Sequence, residues 1–308
     1  MVSIAEKSGK RVISIASVIV APVAVLLIAA TPLLFEKRAG APAFVLGPAL
    51  EAIAGWLRGL ADGSSFEYSL GSTVWNFFDV APRFFAVSLL YVVSAGSVGM
   101  AAGVALGLSL RGRAADVASS ILGSLYAIPD FISAILLQLV TIVILDATGF
   151  KIGRISHDAA SGVFLLLPFV LLTVYPFAFA FKTTLRKSVD AEREPFAVFA
   201  LSKGLSKRTV RLKHIGAAVI PSISTELPTL LGIMQANLFM AEYIFALPGI
   251  TRFLFLVGFS GRRAGWIESY QYPVAVAVLL GVMILYLAAW EFFRLALYAV
   301  RRALTGER

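Results

Sequence analysis

Three observations predict an all-α, polytopic membrane protein. Of the 308 residues, 59% are hydrophobic and only 15% charged, with a mean hydropathy of +0.86; soluble domains carry about 25% charged residues. The apolar residues gather into runs long enough to cross a bilayer, which takes about 20 residues for a hydrocarbon core of about 30 Å. No interval between these runs is long enough for a sizeable soluble domain; the longest is 36–81.

Six helical spans are expected, at 12–35, 82–110, 117–146, 161–181, 215–247 and 273–299. The first run is too long for the apolar core of a signal peptide, about 7–15 residues, and reads as a retained span. The third is long enough to tilt or to contain a break at Pro129. The fourth holds Pro168 and Pro176, and the fifth Pro221 and Pro228. Such prolines are tolerated where neighbouring helices satisfy the freed carbonyls. Residues 1–81 are expected to form an N-terminal span plus an extracytoplasmic segment. Residues 82–308 form the core transmembrane domain, interrupted by a polar loop at 182–214. Within the outer segment, ALEAIAGWLRGL (49–60) has helical apolar spacing around Trp56. It fits a helix on the membrane surface, a cap over an outer mouth or a plain packed helix, and the last is favoured.

The net charge is +9. On a soluble chain that would raise nucleic acid as a partner, but no nucleic-acid motif accompanies it. Basic loops beside spans instead set orientation and meet anionic lipid. With the N-terminus inside, the inner segments 1–11, 111–116, 182–214 and 294–308 carry 18 of the 27 Lys and Arg residues. The positive-inside rule therefore puts both termini and the 182–214 loop in the cytoplasm of a multi-pass plasma-membrane protein. Cysteine is absent, which excludes disulfides, thiol catalysis and cysteine metal sites.

The 182–214 loop is the chain's most polar feature. It holds nine Lys and Arg residues, three acids (Asp190, Glu192, Glu194) and a central Gly204. EPFAVFALSKGLS (194–206) reads as a short helix interrupted near Gly204, a residue free to take positive φ. SKRTVRLKH (206–214) reads as a basic helix leading into the fifth span. The apolar face of Phe196, Phe199, Ala200 and Leu205 fits a groove in a partner protein; lying on lipid headgroups is the other placement open to it.

AVFALSKGLSKRTVRLKH followed by Pro221 resembles the cytoplasmic signature loop of ABC-importer permeases, most closely the dipeptide/oligopeptide/nickel branch. Other segments agree in order: GWLRGLADGSSFEYSLGSTVW (55–75), Ile128-Pro129 with Phe131, AEYIFALPGITRFL (241–254) and Tyr272-Pro273. The likeness covers about residues 50–300. There are departures. Val198-Phe199-Ala200 stands where the general loop pattern has Glu-Ala-Ala. Gly216-Ala217-Ala218 replaces the usual Arg-Asn-Ala, and Asp130 stands where a small hydroxyl is frequent.

The resemblance implies a type I ABC importer-like fold and half of a translocation pore for peptides or a related small solute, a metal complex among them. It implies a second permease subunit, a different chain by preference, two cytoplasmic ABC ATPases and an extracytoplasmic substrate-binding protein. Glu194, Phe196, Phe199, Ala200, Lys203, Gly204, Leu205 and Ser206 would make the ATPase-coupling segment. ATP and Mg would bind in the ATPases. This chain carries no Gly-x-x-x-x-Gly-Lys-[Ser/Thr] loop and is expected to bind no cofactor itself.

Ionisable groups inside spans cost about 2.5–3.5 kcal/mol on insertion scales, so each asks for a reason. Asp130, Glu226 and Glu242 are the candidates, with Gln235 and Asn237 as neutral companions. They either line the translocation path as acceptors or make interhelical hydrogen bonds and ion pairs, Arg252 included. For Glu242 the interhelical role is favoured. Helical spacing puts Glu226, Ile233 and Asn237 on one side, a stripe that would face the pore. Glu291 and Arg294 are expected to pair at i,i+3. His157 and His214 fall on opposite sides of the membrane, so no metal site is expected. The rival reading is a self-sufficient secondary transporter, which often shows internal repeats; none is evident. A membrane enzyme would need catalytic clusters, and neither His-Glu-x-x-His nor Gly-x-Ser-x-Gly occurs.

Overall fold

The computed structural model describes residues 20–38, 41–149, 166–259 and 270–306; the side chains at 36–38, 41–42, 125–127 and 130 lie outside that description. The part of the first expected span before residue 20, and His157 with Asp158, lie outside the described residues. Among those described, five helices are long and apolar enough to cross a membrane, and Val20–Leu34 (α1) is a shorter apolar helix.

Helix α1 tightens to a 3₁₀ turn at Thr31–Leu34, where Pro32 follows Thr31. An antiparallel hairpin follows, β1 (Phe35–Arg38) on β2 (Ala41–Phe44), with Phe35 opposite Phe44. Helix α2 (Gly47–Gly59) is the helix expected at 49–60, started by Pro48 in its first turn. A second hairpin, β3 (Glu67–Leu70) on β4 (Thr73–Asn76), leads into α3 (Phe77–Ser109). The third expected span is two helices, α4 (Arg113–Ala127) and α5 (Asp130–Thr148), with the break at Pro129. Proline has no N–H for the helix ladder and pushes the preceding residue out of the helical region. Helix α6 (Leu166–Ala191) runs ten residues beyond the expected end at 181, because KTTLRKSVDA contains no breaker. The first part of the polar loop is therefore helix.

Next come α7 (Pro195–Ser202), α8 (Lys207–Ile244, with a π-helical turn at Val210–Ile215), α9 (Ile250–Val257) and α10 (Tyr272–Thr305).

The chain divides into two compact units, Met1–Phe85 with Gly249–Ile284, and Ala86–Pro248 with Leu285–Arg308. In the first, Trp56 is buried on α2 with Ala29, Ala30, Ala49, Tyr272, Ala275 and Val276. Its Nε1 donates to the Ser65 carbonyl at 3.1 Å, and the Ser65 hydroxyl donates back to the Trp56 carbonyl. The helix expected to pack does pack. Gln271 serves the open edge of β3 as a strand would: it accepts from Ser69 N at 2.7 Å and donates to Ser69 O at 2.8 Å. The Tyr270 hydroxyl donates to Ala29 O at 2.6 Å, and burial pushes its ionisation well above the ordinary tyrosine range.

In the second unit, α3 lies close against α6. A Cβ on Gly99 would sit 2.7 Å from the Thr173 carbonyl, and one on Gly107 2.8 Å from the Thr184 Cβ; Gly103 abuts the Phe177 carbonyl. Small residues let backbones approach, which is how helices pack where lipid tails remove the usual hydrophobic drive. Helix α8 buries Ile223, Leu227, Leu230, Met234 and Leu238. Glu291 and Arg294 pair at 2.7 Å, as expected.

Candidate coupling segment and translocation face

The polar loop folds as a helix, a left-handed turn and a second helix. Glu194 is extended (φ −71°, ψ 147°), and Pro195, with its fixed φ, starts α7. Gly204 ends it at φ +81°. Its N–H donates to Leu201 O at 2.9 Å, and the Leu205 N–H reaches back to Ala200 O at 3.3 Å. This is a Schellman closure, which favours glycine at the left-handed position. Ser206 then caps α8, its Oγ accepting from Thr209 N at 3.1 Å.

Two sides of α7 differ. Ala197 and Ala200 (6% exposed) turn inward. Phe196, Val198, Phe199 (61% exposed), Leu201 and Leu205 are open. The expected apolar face is therefore present without Ala200, which lies three residues from Ala197 on the packed side. Lys203 Nζ stands 4.5 Å from the centre of the Phe199 ring, a cation–π contact on the open face. Under α7 a cleft of about 190 Å³ is lined by Glu192, Ala197, Leu201, Lys207, Val210, Arg211 and Ile215.

Glu192, one of the loop's three acids, joins two arginines from distant segments. Its Oε1 accepts from Arg111 Nε at 3.0 Å and from Arg211 Nε at 2.9 Å. No sequence signal points to this cluster, since its members lie 81 and 19 residues apart.

The membrane candidates separate. Asp130 opens α5 directly after Pro129; its side chain lies outside the described residues. Glu226 is partly open (side chain 41% exposed), with Arg186 Nη2 of α6 at 3.9 Å. Asn237 and Glu242 are buried, and Glu242 accepts from the Ser88 hydroxyl of α3. Gln235 is half-buried. Glu226 and Asn237 thus do not share an exposed stripe: neighbouring helices cover α8 at Asn237 and leave it open at Glu226. Glu242 makes the interhelical hydrogen bond favoured for it.

Between Ala218 and Ala236 the open face of α8 is Ala218, Pro221, Ser224, Thr225, Pro228, Thr229, Gly232 and Ala236, all exposed at helical spacing. A Cβ added at Gly232 would meet nothing within 4 Å. Small and hydroxyl-bearing side chains there were missed by a search for charges; their period along the run was the available signal.

A model of the family described as binding-protein-dependent transport system inner membrane component matches residues 99–296. The chain belongs to this family. The dipeptide transport system permease protein DppB of Bacillus subtilis (strain 168) is 27% identical over 175 residues, 56% of this chain and 54% of that relative. The chain thus spans about half the length of the curated relative it matches. A solved structure of the MetNI methionine ABC transporter in inward-facing conformations (CY5 native crystal form) aligns with a TM-score of 0.43 at 18% identity, over 74% of this chain and 97% of that one. The chain is a multi-pass inner-membrane permease subunit of an ABC importer, predominantly helical with two short hairpins, and is a transport component rather than an enzyme.

Proposed function

We propose that this permease subunit forms half of a translocation path for peptides or a closely related small solute and couples it to cytoplasmic ATPases through residues 194–206. The observation that carries the coupling is the exposed apolar face of α7. Phe196, Phe199 and Leu205 stand open beside Lys203, on a helix fixed at both ends by Pro195 and the Gly204 turn. A contiguous exposed apolar face of this kind marks an interaction site, and a helix presenting one fits a groove in a partner. The peptide cargo rests on the likeness to the dipeptide permease. In this reading both termini and the loop face the cytoplasm. ATP and Mg are bound by the two ATPases, an extracytoplasmic binding protein delivers cargo, and a second, different permease chain completes the pore. Glu226 and the open face of α8 line the path; the buried Asn237 and Glu242 hold its walls, with Gln235 between. Asp130 stands at the α4–α5 break.

The test is capture of an ATPase by the tagged chain in mild detergent, wild type against Gly204→Pro with Leu205→Asp. Retention by wild type and loss from the variant is expected. No nucleotide-binding partner with either would overturn the coupling reading. Uptake of a labelled dipeptide by cells expressing the whole system tests the cargo separately.

A further inference from the structure

The Glu192 cluster joins three elements that the backbone connects only loosely. Arg111 follows the end of α3, and its Nη1 donates to the Gly107 carbonyl at 2.9 Å, capping that helix end. Its Nε and Nη2 lie 3.0 and 2.9 Å from Glu192 Oε1. Glu192 stands in the turn between α6 and α7. Arg211 stands in the π-helical turn near the start of α8, its Nε 2.9 Å from the same oxygen.

Helix α7 hangs between two joints. One is the stretch Glu192–Glu194; the other is the turn at Gly204, followed by extended Ser206. Beyond the packing of Ala197 and Ala200, a force on α7 reaches the spans through these joints, which would bend unless something braces them. The π-helical turn adds a third weak point, because such turns interrupt the regular ladder and are frequent at functional sites.

We propose that Arg111, Glu192 and Arg211 form an ionic latch that holds the turn leading from α6 into α7 to the end of α3 and to the first turns of α8, so that the root of α7 and these helix ends move as one body. The inference rests on the coupling reading of the loop. The side chains are only 19%, 33% and 30% exposed, so the latch is less screened than a surface ion pair. Two guanidinium groups share one carboxylate, so the three are not equivalent. Removing the Glu192 charge leaves two cations facing each other, whereas removing Arg211 leaves an ordinary Arg111–Glu192 pair.

The chain has no cysteine, so spin labels can be placed at Ser109→Cys, the end of α3, and Ser202→Cys, the end of α7. Inter-label distances are measured by pulsed electron resonance on the full chain in lipid nanodiscs. The parent chain is expected to give one narrow population, which Glu192→Gln replaces by a broad one and Glu192→Asp restores. Melting and elution of each variant are recorded beside the distances. A Glu192→Gln distribution that superimposes on the parent's, in a chain that melts normally, overturns the latch. Where Glu192→Gln does not fold, Arg111→Gln decides, because it alone cuts the tie to the labelled end of α3: it must widen the distribution, and an unchanged one overturns the latch. These distances do not depend on an ATPase, so failure of the coupling reading would show separately, as no ATPase captured by wild type.

Discussion

Helices α5 and α8 both qualify as spans, yet their open faces have different chemistry. Helix α5 has only 11% of its apolar window buried, against 39% for α8. It presents Phe131, Ile132, Ile135, Leu136, Leu139, Val140, Ile142 and Val143, an unbroken aliphatic and aromatic surface. Helix α8 is more buried, and between Ala218 and Ala236 what it leaves open is alanine, proline, serine, threonine and glycine, with Phe239 and Tyr243 open nearer its end. Hydropathy identifies both as membrane helices. On the function proposed above, the composition of the open face separates lipid from a wet path, because small and hydroxyl groups gain little from hydrocarbon contact.

The largest expected effect comes from putting the same charge on both faces. Leu139→Arg should cost about 2.5–3.5 kcal/mol of insertion free energy, as a cation near the centre of a lipid-facing helix does. Thr229→Arg should leave membrane yield nearly intact, because its guanidinium meets water. Chain recovered in the membrane fraction measures both, and equal losses would erase the contrast.

A finer measurement uses the absence of cysteine. Single cysteines at Thr225, Thr229, Gly232 and Ala236 should react with a charged thiol reagent, and those at Ile135, Leu139 and Val143 should not. Protection along α8 as well would place a second permease chain, rather than water, against that face, since small residues also suit close helix packing.

Much of this was legible in the sequence, and the remainder was hidden for identifiable reasons. The spans, the break at Pro129, the α2 helix and the Gly204 turn each rest on local signals: hydropathy over a window, a missing N–H, a positive φ. The end of α6 was misplaced because 182–191 changes polarity without changing helix propensity, and hydropathy sees only the former. Ala200 was put on the wrong side of α7 because an eight-residue helix with apolar residues nearly all round has almost no polar face to orient it. The Arg111–Glu192–Arg211 cluster was invisible because contacts between distant segments leave no local pattern. Asn237 follows Glu226 by about three turns, so a wheel puts them together; the neighbouring helices that cover one and not the other are absent from a wheel.

A smaller effect separates α5 from α8 at their contact. Helix α5 meets its neighbours through a narrow stripe of Ala134, Gln138 and Thr141, of which Ala134 and Thr141 are buried. Gln138 Nε2 donates to Ile244 O at 3.3 Å. Gln138→Leu should lower the melting temperature modestly, corresponding to about 0.6 kcal/mol for an average interhelical hydrogen bond in a membrane. No change would mean that shape alone seats α5.

The smallest effect on stability should accompany a clear effect on transport. Glu226 borders the open face of α8, whereas α5 carries no ionisable residue between Phe131 and Leu145. The Arg186–Glu226 pair is 3.9 Å apart, with side chains 68% and 41% exposed, and an exposed pair of that kind contributes about 0–1 kcal/mol. Glu226→Gln should therefore melt within a degree or two of wild type, near the scale of such a loss in a domain of this size. If Glu226 lines the path, the same substitution should slow uptake of a cationic dipeptide more than that of a neutral one, since only the former uses the carboxylate. Arg186→Gln supplies the opposite arm: it frees the Glu226 carboxylate and should favour the cationic cargo. If both variants transport both dipeptides at wild-type rates, the pair is a surface contact and the path runs along the neutral residues of α8 alone.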